Sequence, residues 1–508
     1  MVDERRLSAD GEKMPHRKTF FNSSTHKSIT IYRHTYSSNK DMDMTEGSVL
    51  YKIFLFAIPL IISNLLQRCY NAADMMIVGL SPEANAVGAI GVTGSFVNML
   101  VNICMGAATG ANVVVARYLG AKNDEMASRT AHTSILASLG FGTVCAAIGL
   151  CISRPVLSLM GATENLLELA TTYTQIYFLG LPFVSLVNYL ISIFRAKGDT
   201  KTPLYILSFS GILNVLLNLF FVLVCKMSVE GVAHATNLAN IISAVLLIVK
   251  LRKDDSACRF SFKKLCFDKG AFSDILRIGL PAAVQGSLFS ISGMLIQSSI
   301  IRMNYILTPA GSSFDPVVSG SAASTSIEGF AYTAQNAIYQ AAITFTSQNV
   351  GAKKYNRIYK IMASCYLVGA LIASVFSISM YFLRTPLFAL YGIHPGIEGS
   401  AEAIAYSTAS IRTSIIFIPY AFVSFMEVGC AIVRGLGKST SSTIISLIGS
   451  CVFRVLWILV VFNSVVSLES IYISFPISWI ITGLVFFIYS LLVLKKTIKA
   501  QNAETVGV

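Results

Sequence analysis

The chain has 508 residues, 54% of them hydrophobic and 13% charged, with a formal net charge of +13 and a mean hydropathy of +0.65. Ordinary soluble domains carry about 25% charged residues, so this balance excludes a soluble globular protein and indicates a polytopic membrane protein. The basic residues are dispersed over short loops rather than gathered in one folded patch, which argues against a nucleic-acid partner.

Residues 1–47 are polar, rich in Ser, Thr, Lys and Arg, and lack the apolar core of a cleavable signal peptide. They read as a flexible cytoplasmic tail. Apolar segments long enough to cross about 30 Å of hydrocarbon then recur at 51–79, 86–116, 127–152, 166–194, 202–225 and 230–250. A basic linker, 251–273, separates them from six more at 274–301, 324–349, 357–383, 403–433, 440–463 and 468–494. The fold class predicted is an all-α membrane protein of twelve transmembrane helices. It comprises an N-terminal lobe (48–250), a C-terminal lobe (274–495) and a second cytoplasmic tail (496–508). Most of the 39 Lys and Arg fall in the two tails and the even-to-odd loops. The positive-inside rule therefore places both termini in the cytoplasm, and the protein is expected in the cell membrane.

The loops on that side repeat. "RYLGAKNDE" (117–125) follows the second span and "QNVGAKKYN" (348–356) the eighth, Gly351 lying 231 residues after Gly120. "FRAKGDTKT" (194–202) follows the fourth and "VRGLGKSTS" (433–441) the tenth, with Arg434 lying 239 residues after Arg195. Six spans separate the partners, so the halves cross the bilayer in the same direction. They form parallel repeats about a pseudo-two-fold axis along the membrane normal, an architecture suited to alternating access.

The first span carries Asn64, Gln67, Asn71 and Asp74 within an arc of about 80° of helix. A carboxylate at the bilayer centre costs roughly 2.5–3.5 kcal/mol, so Asp74 is expected to face a cavity or proton relay. Arg68 sits about 120° around from it and is expected to reach another helix or the bundle rim. Polar residues at three-or-four spacing recur in other spans, including Asn188, Asn214 and Asn218 in the first half. The second half has Ser324, Glu328, Tyr332, Gln335 and Tyr339, and then Tyr420, Ser424 and Glu427. Amides and hydroxyls at such positions also join helices, at roughly 0.6–2 kcal/mol per bond. Glu427 stands seven residues before Arg434 as Asn188 stands seven before Arg195, so the two occupy equivalent repeat positions.

The ten cysteines include no C-x-x-C and no zinc spacing. "GLGKST" (435–440) lacks the first glycine and the strand of a phosphate-binding loop. No metal-spaced His set and no Ser/His/Asp cluster is evident, and His132 and His234 read as packing or rim residues. An enzyme is not expected, and no cofactor is implied beyond a coupling ion.

"FAIPLIISNLLQRCYNAADMMIVG", "ARYLGAKN", "FRAKGDTKTPLYILSFSGILNVLLNLFFV", "RIGLPAAVQGSLFSISGMLIQSSI", "SQNVGAKKYNRI" and "VRGLGKSTSSTIISLIGSCVFRVLWIL" resemble the multidrug and toxic compound extrusion (MATE) family over roughly residues 48 to 495. The resemblance implies a proton- or sodium-coupled antiporter expelling small organic, cationic or aromatic compounds through a central cleft. The expected form is a monomer in the bilayer. By the same resemblance Asp74, Asn188, Asn214 and Thr236 fit a cation site in the N-terminal lobe. There Asn218 stands where the family branch has a second acid, which favours a proton over sodium, leaving at most weak Na+ binding at Asp74. Glu427 is the alternative coupling group in the other lobe. Asn64, Gln67, Asn71, Gln285, Glu328, Tyr332, Gln335 and Tyr420 are the cleft candidates, and Pro59 resembles a proline at a helix-bending site. The runner-up is a flippase for lipid-linked glycans, which would be expected to carry several Arg or Lys in its cleft; away from the span ends, only Arg68, Arg412 and Arg454 fall within the assigned spans.

Overall fold

Backbone amides cannot go unpaired in hydrocarbon, so the long apolar segments close their hydrogen bonds internally as helices. The computed structural model describes residues 42–81, 83, 86–160, 164–308 and 314–506, and within these there is no strand. The first bundle contains α1 (Val49–Val78), α2 (Ala86–Gly120), α3 (Asp124–Leu159), α4 (Glu164–Leu179), α5 (Leu181–Ala196), α6 (Lys201–Leu219) and α7 (Val229–Arg252). The second begins with α8 (Lys269–Leu307), α9 (Pro316–Gly351), α10 (Tyr355–Phe382), a short α11 (Arg384–Ala389), α12 (Ala401–Phe417) and α13 (Ala421–Gly435). It ends with α14 (Ser439–Ser446), α15 (Phe453–Trp457), α16 (Leu468–Tyr472) and α17 (Ser474–Val506).

Among the described residues nine helices are long and apolar enough to span a membrane, and two bent pairs make eleven. The twelfth expected span is α9. It has the length, 36 residues, but not the apolarity, because it is an interior helix packed against both bundles. Gln335, Gln340, Thr344, Gln348 and Asn349 are all buried along it. The bent pairs correct the expectation of one straight helix each at 166–194 and 403–433. α4 meets α5 at 48° and α12 meets α13 at 55°, beside Pro182 and Pro419. Each proline lacks the amide that would continue the helix. The two breaks lie at equivalent points of the repeat.

The backbone repeats as well. Lys122 and Lys353, both at φ 56°, end α2 and α9 in the left-handed conformation, and Gly198 (φ 89°) and Gly437 (φ 84°) do so after α5 and α13. The two repeats cross at these loops. A Cβ on Gly120 would stand 2.0 Å from the Gln348 carbonyl oxygen, and one on Gly351 1.9 Å from that of Arg117. A matched pair of hydrogen bonds spans the crossing. Arg117 Nη2 donates to the Gly435 carbonyl (3.0 Å) and Gln348 Nε2 to the Ala196 carbonyl (2.7 Å).

Two expected flexible segments are packed where they are described. Residues 42–47 lie across this face: Met44 is fully buried, its amide donates to Gln348 Oε1 and its carbonyl accepts from Asn349. Arg357 Nη2 donates to the carbonyls of Glu46 and Gly47, both at 2.7 Å. The preceding residues of the expected tail lie outside the described residues. The linker, shortened by α7 running to Arg252, docks on the first bundle. His132 stacks on Phe260 and accepts from the Ser261 amide, a packing role. Asp254 bonds Lys197. Burial alone would raise the Asp254 carboxyl, but the Lys197 ammonium, the Ser256 hydroxyl and the Asp255 amide outweigh it and hold the carboxyl below its usual value. A depressed carboxyl stabilises the fold above the unfolded pKa and loses that contribution as pH falls through the folded one. Asp254→Asn should therefore lower thermal stability at neutral pH by about 1.5–3 kcal/mol. In thermal scans the gap between the variant and the parent should close in acid.

Candidate functional site: a cavity between the bundles and a carboxylate within the first

α2 packs closely on α8 across the bundle boundary. A Cβ on Gly110 would meet the Ile275 carbonyl at 2.2 Å, and one on Gly279 the Ala107 carbonyl at 2.5 Å. Above this seam the bundles part around a cavity of about 510 Å³. From the first bundle it is lined by Asn102, Met105 and Thr109 of α2 and Asn188, Ser192 and Arg195 of α5. The second bundle contributes Gln285 and Phe289 of α8, and Glu328, Tyr332, Asn336, Tyr339 and Gln340 of α9. Tyr420, Met426, Glu427 and Arg434 at and beyond the α12–α13 break complete it, with Arg454, Phe475 and Trp479. Aromatic faces and a few fixed polar groups are the usual lining of a small-molecule site.

The polar groups are held in place. Arg434 donates to the Tyr339 hydroxyl and, at 2.7 Å, to Gln285 Oε1. Arg412 reaches Glu328 in an ion pair and also bonds Ser324 (3.0 Å). Arg454 donates to Ser478 (2.9 Å) and lies 4.2 Å from the Phe475 ring centroid. These bonds offset part of the cost of burying the charges.

Asp74 is placed elsewhere. It turns into the first bundle, where Asn218 Nδ2 donates to its carboxylate at 2.5 Å. One turn away on α6, Asn214 reaches Thr236 Oγ1 at 3.4 Å. Asp74 thus pairs with Asn218 and Asn214 with Thr236. Asn188 does not join them by a hydrogen bond: its amide donates to the Val184 carbonyl of its own helix, and the residue lines the cavity between the bundles instead.

The cleft candidates divide. Gln285, Glu328, Tyr332 and Tyr420 line the cavity, as does Glu427. Gln335 is fully buried and accepts from Ser424, an interhelical tie. Asn64 donates to the Thr333 carbonyl across the bundle boundary (3.4 Å). Gln67 and Asn71 are exposed and line no part of this cavity, because the polar arc of α1 turns from α9 at Asn64 to α6 at Asp74. Arg68 does reach another helix, donating to Thr333 Oγ1 at 2.8 Å. Pro59 is buried inside α1, which runs unbroken through it.

A MatE family profile matches residues 59–220 and 282–460, one block in each bundle. The chain belongs to the MatE family. Among curated relatives it is 27% identical to the probable multidrug resistance protein YpnP of Bacillus subtilis, over 82% of this chain and 89% of that one. It is also 27% identical to YoeA of the same organism, described in the same words, over 68% and 74%. In fold it is similar to an outward-facing multidrug resistance MATE transporter of the MOP superfamily. The TM-score is 0.79 and the identity 21%, with 90% of this chain and 98% of that chain covered. A MATE structure in complex with MaL6 gives a TM-score of 0.80 at 21% identity, with the same coverage. A MatE chain is a multi-pass membrane transporter and not an enzyme.

Within this MatE fold the sequence reading missed two guanidiniums. Arg195 and Arg434 were assigned to basic loops, yet both belong to helices, α5 and α13, and line the cavity. The signal was present in the repeat: the two arginines stand at equivalent positions, each seven residues after a polar residue of its span, Asn188 or Glu427. Phe289, Phe475 and Trp479 gave no such signal, since an aromatic residue in an apolar run is ordinary core.

Proposed function

We propose that this MatE protein is a proton-coupled exporter of small aromatic organic compounds, working as a monomer by alternating access in the cell membrane with both termini cytoplasmic. The separation of two sites carries the reading. A drug-sized cavity with aromatic walls lies between the bundles, while the Asp74 cluster lies inside the first bundle. Substrate and ion then occupy different places and communicate through the packing of α1 against α6 and α9. The crossing of the two GAK loops closes the basic face, which the charge pattern assigns to the cytoplasm, so the geometry is that of a cavity facing outward. The names of the B. subtilis relatives support drug export.

The proton is favoured over sodium by donor chemistry. A hard cation needs several oxygen ligands, and Asn218 turns its nitrogen, not a second carboxylate, towards Asp74. The flippase alternative gains from three cavity arginines, but about 510 Å³ suits a drug-sized molecule rather than a lipid-linked glycan.

The reading is tested with the purified full chain in proteoliposomes carrying fluorescein or rhodamine 123. An imposed proton gradient should accelerate the movement of at least one dye, and a sodium gradient should not. Equal rates with and without either gradient would sink the proposal. Asn218→Asp adds a second carboxylate beside Asp74 and should create sodium-stimulated transport where the parent has none.

A further inference from the structure

The pseudo-two-fold relation between the bundles fails at one place in the cavity, and the failure concerns charge. In the second bundle Arg434 has a full set of partners. Tyr339 and Gln285 accept its hydrogen bonds, and the Glu427 carboxylate interacts with it electrostatically. The repeat offsets give the equivalents in the first bundle. Arg195 corresponds to Arg434, Asn188 to Glu427, and Ala108 to Tyr339, and all six residues line the same cavity. The carboxylate has become a neutral amide and the phenol a methyl group. Arg195 is left with neither: among the described residues its side chain makes no hydrogen bond or ion pair, and its Nε is buried without a partner. Asn188 supplies no charge, and its amide nitrogen donates to the Val184 carbonyl of its own helix.

The charges around the cavity do not cancel. Glu328 is taken by Arg412 in an ion pair, and Glu427 faces Arg434. Arg454 donates to the neutral Ser478 and interacts electrostatically with Glu328, the carboxylate already paired with Arg412. Arg195 therefore stands on the cavity wall without a carboxylate counterion, while Arg454 shares Glu328 with Arg412. A guanidinium at such a site presents a planar fork of donors that matches a carboxylate or sulfonate in two parallel bonds. Phe289, Phe475 and Trp479 supply flat apolar surface for a ring.

Resting on the exporter reading above, we propose that Arg195 is an anion-binding residue of the transport cavity, and that the substrates are aromatic compounds bearing a carboxylate or sulfonate. The family resemblance implies cationic or aromatic compounds; the charge lining this cavity favours aromatic anions over cations. A cationic ring would have to approach the uncompensated guanidinium of Arg195, whereas an anionic one supplies the counterion that the first bundle lacks.

Two dyes that share one xanthene ring system and differ in charge make the test: fluorescein, an anion, and rhodamine 123, a cation. Equilibrium binding to the purified full chain in detergent is followed by fluorescence anisotropy with no gradient present, so a failure of ion coupling cannot imitate a failure of recognition. The parent protein should bind fluorescein more tightly than rhodamine 123. Arg195→Gln should weaken fluorescein roughly 10–100-fold and leave rhodamine 123 unchanged or tighter, and Arg195→Lys should recover part of the loss. Should Arg195→Gln lose both dyes through misfolding, Arg454→Gln carries the same comparison. Tighter binding of rhodamine 123 by the parent overturns the proposal, and so does fluorescein affinity indifferent to the charge at Arg195 and Arg454.

Discussion

Asp74→Asn is expected to abolish gradient-driven transport, with initial rates in proteoliposomes falling roughly 100-fold, near the top of the range for coupling between two sites. The substitution is nearly isosteric and keeps an acceptor for the Asn218 amide, which donates to the carboxylate at 2.5 Å, so the helix contact survives. What it removes is the group that changes charge. A carboxylate inside the first bundle is costly when ionised and unpaired, so the balance of α1 packing between its open and closed arrangements depends on whether a cation is bound. A ligand moves a conformational equilibrium only by its difference in affinity for the two states, and an amide that binds no proton supplies none. Asp74→Glu retains the chemistry on a longer arm and should keep measurable transport. Full activity in Asp74→Asn would move the coupling assignment to Glu427, the half-buried cavity carboxyl that interacts electrostatically with Arg434 in the other bundle.

Gly351→Ala should open the basic face and slow transport, and Gly120→Ala should do the same. The added methyl would stand 1.9 Å from the Arg117 carbonyl oxygen in one case and 2.0 Å from that of Gln348 in the other. Both obstacles are backbone, so no side chain can rotate away. Overpacking of this kind costs about 1–3 kcal/mol where neighbours can shift, and here the neighbours are the ends of two long helices. Only the arrangement in which the loops cross bears that cost, so the equilibrium moves towards the separated one by roughly 10–100-fold. Spin labels at Glu125 and Asn356, exposed positions related by the repeat, should report a longer and broader distance distribution in either variant. An unchanged distribution would mean that the crossing does not hold this face closed. The matched bonds from Arg117 to Gly435 and from Gln348 to Ala196 should be lost in the same step.

The two expectations differ in how legible they were. Asp74 announced itself in the sequence, because a charge in a twenty-residue apolar run has few structural excuses. The glycines of the GAK loops were visible only as a repeated motif, and nothing in their spacing says that the two copies touch. That contact follows from the pseudo-two-fold axis passing between them. The same holds for residues 42–47: polar composition reads as a free tail, while Gln348, Asn349 and Arg357 seat it on the second bundle.

The sequence by itself determined the helical membrane class, the repeat of the cytoplasmic loops and the family, and the family resemblance implied the grouping of Asp74 with Asn214, Asn218 and Thr236. Composition, loop motifs and resemblance are quantities that survive without knowing which helix neighbours which. Tertiary structure decided the rest. It bent the fourth and tenth spans, buried the polar α9 between the bundles, removed Asn188 from the Asp74 cluster, and left Gln67 and Asn71 outside the cavity. Above all it carried Arg195 and Arg434 from apparent loops onto the cavity wall, with partners for one and none for the other. Charge compensation is a property of three-dimensional neighbours, and a residue's partners across a bundle boundary are set by packing that no local pattern records.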